Sequence, residues 1–345
     1  MRLIAHPFVR FFLGKVAFYV LAGVVSLTLV FLIPRLMPGN PVDLMISPSG
    51  TGIGPGGPGA GLTGALEQIR AVMQEHFGLD RPLHVQYVRF WQGIFRGDLG
   101  PSYAFALRPV SEIVLPALAF TLALVLPVLG ISFFLGNAIG ARAAFTGRWS
   151  KLFYDVSLFL SRMPFFWFAM ILVFLLGSRA RLFPMHGWHT PELTPSLTLG
   201  FALNMAWHYV LPFVALLVGS VGIWTVGMRS MMLYERHADY ILYCQQLGFR
   251  DKTLRKYAQR NAILPQVTGV NLILSSLIGQ TMVTEVVFGW PGLGQVGFTA
   301  VLNLDYPLIL GTFLVTVVVV LFGNFLVDIL YGIIDPRIRT GYLGR

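Results

Sequence analysis

Six apolar blocks, near residues 12–33, 115–141, 153–176, 209–233, 263–288 and 308–331, decide what this chain can fold into. A hydrocarbon core about 30 Å thick is crossed by roughly 20 residues of α-helix, and each block is long enough. In lipid every backbone N–H and C=O must be bonded within the protein, so the spans are expected to be helices. The fold class is therefore an all-α polytopic membrane protein with six transmembrane helices. Composition agrees, because only 12% of the 345 residues are charged, about half the share found in soluble domains. The N-terminus is basic and then apolar, like a signal peptide. Its apolar run is too long for a cleaved core and no small-x-small site follows, so it is expected to remain as the first span.

The basic residues give the orientation. Arg2, Arg10 and Lys15 precede the first span, and Arg142, Arg148 and Lys151 link the second to the third. Arg229, Arg236, Arg250, Lys252, Arg255, Lys256 and Arg260 surround the link between the fourth and fifth, and Arg337, Arg339 and Arg345 follow the sixth. Six crossings put all these segments on one side, which the positive-inside bias makes the cytoplasm, so the topology is N-in, C-in. The same asymmetry accounts for the net charge of +10 without nucleic acid, whose binding needs a dedicated basic face or motif.

Three regions follow from the spans. Residues 1–33 are the cytoplasmic N-terminus and first helix. Residues 34–114 form an outer segment. Residues 115–345 hold the other five spans and a cytoplasmic loop, 234–262. Within the outer segment, 48–64 (PSGTGIGPGGPGAGLTG) has the composition of a linker. Beyond it, Leu66, Ile69, Val72 and Met73 recur at helical spacing, with Gly78 and Pro82 as a stop signal. A second helical stretch, Val85 to Phe95, completes a small helical outer segment. Gly136 and Gly140 form a GxxxG on the second span, which suits internal packing better than a homodimer face. Pro127, Pro164 and Pro212 are expected to kink their spans.

Chemistry-bearing residues are sparse. No G-x-x-x-x-G-K-[ST] loop and no H-E-x-x-H is present. His84, His186, His189 and His208 read as ordinary outer-segment residues. Cys244 stands alone, which excludes an intrachain disulfide and a thiolate metal cluster. Asp155 and Arg162, seven residues apart, share a face of the third span; they either line a polar path or pair with neighbouring helices. Glu285 and Asp328 lie close enough to span ends to be read as solvated.

Residues 243–266, YCQQLGFRDKTLRKYAQRNAILPQ, stand out against this apolar background. From Glu235 to Leu247, the residues Ala238, Ile241, Leu242 and Gln245 follow amphipathic spacing. Gly248 suits a left-handed C-terminal cap and Asp251 an N-cap. A second helix would turn Leu254, Tyr257, Ala258, Asn261 and Ala262 one way and Lys252, Arg255, Lys256 and Arg260 the other, with Pro265 opening the fifth span. Attraction to anionic lipid head groups needs only the charge. A capped helix, a break and a second helix suit insertion into a protein groove.

This segment resembles the cytoplasmic EAA loop of type I ABC importer permeases. The whole chain is similar to the dipeptide, oligopeptide and nickel permease family, B-type subunit. The supporting residues, in order, are MPGNP (37–41), FGLDRP (77–82), GDLGPS (97–102), Pro109-Val110, RNAILP (260–265), EVVFGWPGLG (285–294), DYP (305–307) and DPR (335–337). The sequence departs from the family pattern at Cys244 and Gln246, where Ala is usual, and at Leu247, where a basic residue is usual. The insert 48–64 also looks longer than the usual outer loop.

The resemblance implies the type I importer fold in a bacterial or archaeal cytoplasmic (inner) membrane. It implies a permease subunit for peptides, with nickel chelates or oligosaccharides as alternatives. Its partners would be a second, C-type permease subunit forming a heterodimer, two ATPase subunits and an extracytoplasmic solute-binding protein, besides membrane lipid and without nucleic acid. The chain itself would carry no catalytic residue, metal or cofactor, because ATP and Mg sit on the ATPases. Tyr240, Cys244, Gln245 and Gly248 are then the docking face, with Arg260, Asn261 and Pro265 fixing the following helix. Arg162 and Asn271 are candidates for the translocation path. Trp290, Pro291 and Gly292 form a tight turn, either part of an outer gate or an ordinary interfacial turn. Two other classes of function have their own requirements. A membrane-embedded enzyme would need a Ser/His pair, a carboxylate dyad or a metal cluster deep in the spans. A channel or secondary transporter leaves the hairpin without a role.

Overall fold

A computed structural model describes residues 7–36, 81–102, 104–105, 107–145, 148–303 and 305–334. The linker 48–64, the expected helix around 66–73, MPGNP, most of FGLDRP, DPR and the basic residues after the last span lie outside the described residues. Among the described residues the regular elements are helices. They are α1 (Pro7–Leu36), α2 (Leu83–Arg96), α3 (Val110–Ala143), α4 (Arg148–Arg162), α5 (Phe165–Leu172, continued by a π-helical stretch Val173–Arg179), α6 (Leu199–Arg236), α7 (Asp239–Gln246), α8 (Asp251–Phe288), α9 (Leu293–Leu302) and α10 (Tyr306–Ile334).

Five of these helices are long and apolar enough to cross a membrane, and the α4–α5 pair makes a sixth if counted as one span. The kink expected at Pro164 is present and sharper than a bend within one helix, because the two halves of that pair are bent by 103°. Pro164 lies at the break in an extended conformation, φ −60° and ψ 130°. It has no N–H to give and its ring crowds the preceding turn. Pro212 and Pro265, by contrast, lie inside continuous helices. The hairpin's second helix is therefore not separate from the fifth span, as expected, but is its first three turns. Thr268 returns a hydroxyl bond to the Pro265 carbonyl at 2.8 Å.

The chain divides into two compact units. The first takes in Met1–Tyr19, Ala119–Gln295 and Val319–Arg345, and α6 runs through its centre. Lipid tails are as apolar as leucine, so helices in a bilayer associate by close packing rather than by hydrophobic transfer. Glycines accordingly mark the contacts. A Cβ on Gly219 would meet the Phe165 ring at 2.6 Å, and one on Gly222 the Ser157 carbonyl at 2.6 Å. The Gly136/Gly140 pair packs internally on the same helix, with Trp224 Cβ and the Thr225 carbonyl each 2.5 Å from where a Cβ would lie. Leu124, Val128, Phe165, Leu216, Leu277 and Trp290 fill the space between.

The second unit takes in Val20–Leu118 and Val296–Val318. Here α2 lies against α1, with Phe31 in ring contact with Tyr87 and Phe90, both at 5.3 Å, and Thr28 and Tyr87 sharing a 2.8 Å hydroxyl bond. Gly97, at φ 72°, ends α2 in a left-handed cap. Asp305, fully buried, accepts from the Leu308 backbone N–H at 3.1 Å and so caps the start of α10. Its other oxygen accepts from the Ser102 hydroxyl at 2.5 Å and the Ala104 N–H at 2.9 Å, tying DYP to GDLGPS.

Candidate coupling hairpin and buried polar anchors

The basic segment folds as α7, a tight reversal, and the start of α8. Ala238, extended at φ −70° and ψ 141°, precedes α7, so its helical frame starts afresh rather than continuing from Glu235. The expected apolar face is corrected as a result: Ile241 is buried, whereas Leu242 and Gln245 are exposed. Ile241 enters a cluster with Ala141, Met228, Met232, Ala258 and Ala262. Gly248, at φ 78°, follows α7; its N–H reaches the Gln245 carbonyl at 3.0 Å and the Phe249 N–H reaches Cys244 at 3.2 Å. This double bond pattern is a Schellman cap, which needs a left-handed residue at that position. Asp251 is not the N-cap of α8, as expected, but its first residue; Arg250 holds the cap position without a side-chain bond. The carboxylate there still favours the positive helix end.

A three-residue hydrogen-bonded set joins the hairpin's parts. Tyr240 of α7 donates its hydroxyl to Glu235 at the end of α6. Asn261 of α8 donates to the same phenol oxygen at 2.9 Å. Partial burial, then the bond to Glu235, push the Tyr240 phenol up to about 12, so it remains a donor throughout the physiological range. Leu254, Ala258 and Ala262 are buried, while Lys252, Lys256 and Arg260 are exposed. Cys244 is half-buried and Gln245 exposed. Leu242, Tyr243, Leu247, Phe249 and Tyr257 are also exposed. The hairpin thus presents an apolar and aromatic tip on a well-anchored root.

Two carboxylates expected to be solvated are instead bonded within the protein. Asp328 accepts from Lys15 at 2.6 Å, Tyr19 at 2.9 Å and Asn271 at 2.5 Å, joining α1, α8 and α10. Asn271 is thereby engaged in a structural cluster. Glu285 is fully buried. It accepts from the Thr121 hydroxyl and the Gly294 N–H, both at 2.6 Å. Gly289, left-handed at φ 59°, lets the chain double back after α8, and a Cβ on Gly292 would strike the Glu285 carboxylate. Trp290 is buried rather than interfacial, 2% exposed, with its indole N–H on the Phe120 carbonyl at 3.2 Å. Pro291 and Gly292 complete the turn between them. Sequence reasoning missed Glu285, Asp328 and Glu235 as anchors; the glycines after Glu285 were the available signal.

Arg162 lies at the end of α4, exposed, in a cleft lined by Phe159, Met163, Pro164, Phe166 and Trp167. Asp155 is exposed on the same helix. Among the described residues neither bonds to another side chain.

A family model described as "Binding-protein-dependent transport system inner membrane component" matches residues 136–340. The chain is 32% identical over 324 residues to the oligopeptide transport system permease protein AppB of Bacillus subtilis, covering 93% of this chain and 95% of that protein. It is 29% identical over 338 residues to the dipeptide transport system permease protein DppB of Escherichia coli K12, covering 92% and 94%. It is 27% identical over 337 residues to the metal-staphylopine import system permease protein CntB of Staphylococcus aureus, covering 96% and 99%.

Proposed function

The chain belongs to the family of binding-protein-dependent transport system inner membrane components, and from that premise we propose that it conducts peptides in an ATP-driven importer. It is a permease, a translocation component of an ABC transporter rather than an enzyme. On our reading it sits in a bacterial or archaeal cytoplasmic membrane with both termini inside. It pairs there with a second permease chain, two ATPases that bind ATP and Mg, and an outer solute-binding protein. The peptide substrate is supported by the names of AppB and DppB.

One observation carries the coupling role: a short helix rooted at Ile241 and at the Tyr240–Glu235–Asn261 set, closed by Gly248, with an apolar tip left exposed. A buried root makes the hairpin move with α6 and α8 as one body. An exposed tip of Leu242, Tyr243, Leu247 and Phe249 fits a groove on a separate protein. Arg260 adds charge at the margin, and Pro265 lies where the hairpin passes into the span. ATP-driven closure of the ATPase pair would then bias the spans through differential contact with the hairpin in two states.

The test is co-purification of the ATPases with tagged permease from its native operon, followed by uptake of labelled dipeptide and oligopeptide into proteoliposomes. Stoichiometric ATPases and ATP-dependent uptake are expected. Gly248→Pro, which cannot adopt φ 78°, is expected to lose the ATPases. Uptake without any ATPase, or uptake of metal chelates and no peptide, overturns the reading.

A further inference from the structure

The cleft around Arg162 has no task in the coupling scheme, and its depth is fixed by its neighbours. Ser161 packs on Gly222, its Cβ 3.0 Å from where a glycine Cβ would lie, and Phe165 packs on Gly219. Both glycines lie near the middle of the apolar block 209–233 of α6. Arg162, one residue from Ser161, therefore sits near mid-membrane. A guanidinium cannot face hydrocarbon at that depth without a cost of several kcal/mol, so it faces water, solute or another polar group. No side chain among the described residues answers it. Asp155 is two turns away, roughly 10 Å along the helix and out of ion-pair range. A neighbouring face of α4 is taken up by α6: Tyr154 stacks under Arg229 at 4.0 Å, and Ser157 and Ser161 fill the Gly222 notch. Arg162 is on the side left over, among Phe159, Met163, Pro164, Phe166 and Trp167.

We propose that Arg162 is a transit subsite for the C-terminal carboxylate of the peptide, at the break between α4 and α5. This rests on the peptide-importer reading above. Charge complementarity selects the occupant. A peptide crossing the bilayer must bring an ionised carboxylate through its middle, and an unneutralised guanidinium there offers a planar two-donor match. The aromatic and methionine walls accept side chains of varied shape without demanding a particular one. Pro164 keeps the following residues out of α4's helical path, so the guanidinium is not covered by a next turn.

The experiment uses the whole reconstituted complex with its binding protein and ATPases. Uptake of a labelled dipeptide and binding-protein-stimulated ATP hydrolysis are measured for wild type, Arg162→Lys and Arg162→Gln, with benzoylphenylalanine at position 163 as a photo-crosslinker. Expected results are uptake lowered about tenfold or more in Arg162→Gln, partial recovery in Arg162→Lys, and unchanged stimulated ATP hydrolysis. Crosslinking to the labelled peptide during turnover is also expected. Normal uptake in Arg162→Gln overturns the subsite alone. So does parallel loss of assembly and ATP hydrolysis with crosslinks only to the second permease chain, which would make Arg162 an interface residue. A wild-type complex that hydrolyses ATP but imports no peptide overturns the peptide reading, and the subsite with it.

Discussion

At the scale of single residues, Glu285 shows how a buried carboxyl group can hold a membrane protein together. A carboxylate inside apolar surroundings is tolerable only when its oxygens are saturated with donors. Thr121 and Gly294 supply them at 2.6 Å, and the Leu293 N–H steadies Thr121 at 2.9 Å. Replacing Glu285 with Ala strands these donors and should cost about 2–4 kcal/mol, seen as a lower melting temperature of the detergent-solubilised protein. Gly292→Ala should lower it as well, since its Cβ and the carboxylate would overlap. Melting of both variants at the wild-type temperature would show the turn to be decorative. Sequence alone placed Glu285 near a span end and hence in reach of water. What it could not show is that Gly289 folds the following segment back over the carboxylate.

At the scale of elements, the hairpin separates root from tip. The Schellman cap was legible, because a glycine after an amphipathic turn and before a basic helix has few other uses. The inward face was only partly legible. Ala238 resets the helix, so Ile241 alone of the expected α7 set is buried. Ile241→Ala should leave a cavity costing about 2 kcal/mol or more. Hydrogen exchange of residues 239–249 should then rise roughly thirtyfold through local opening, while α6 and α8 keep their protection. Exchange that rises evenly along α6 and α8 would mean that the hairpin has no stability of its own.

At the scale of the molecule, the single cysteine offers a direct reading of sidedness. Cys244 is half-buried at the hairpin, the region that the proposed topology puts on the cytoplasmic side from its Lys and Arg content. A membrane-impermeant maleimide should label it in inside-out vesicles and not in intact cells. Labelling from outside would invert the topology and remove the hairpin from any cytoplasmic motor.

The sequence by itself determined the class, because twenty-residue apolar runs and backbone polar groups leave lipid only one inexpensive solution, the helix. It also pointed to the family, since short motifs stand in a fixed order along most of the chain. Tertiary structure alone decided the fate of the charges. Whether Asp328 meets water or Lys15, and whether Arg162 is paired or left open, depends on residues hundreds of positions apart or on the far side of a helix. A helical period specifies which face a residue occupies, but not what that face meets.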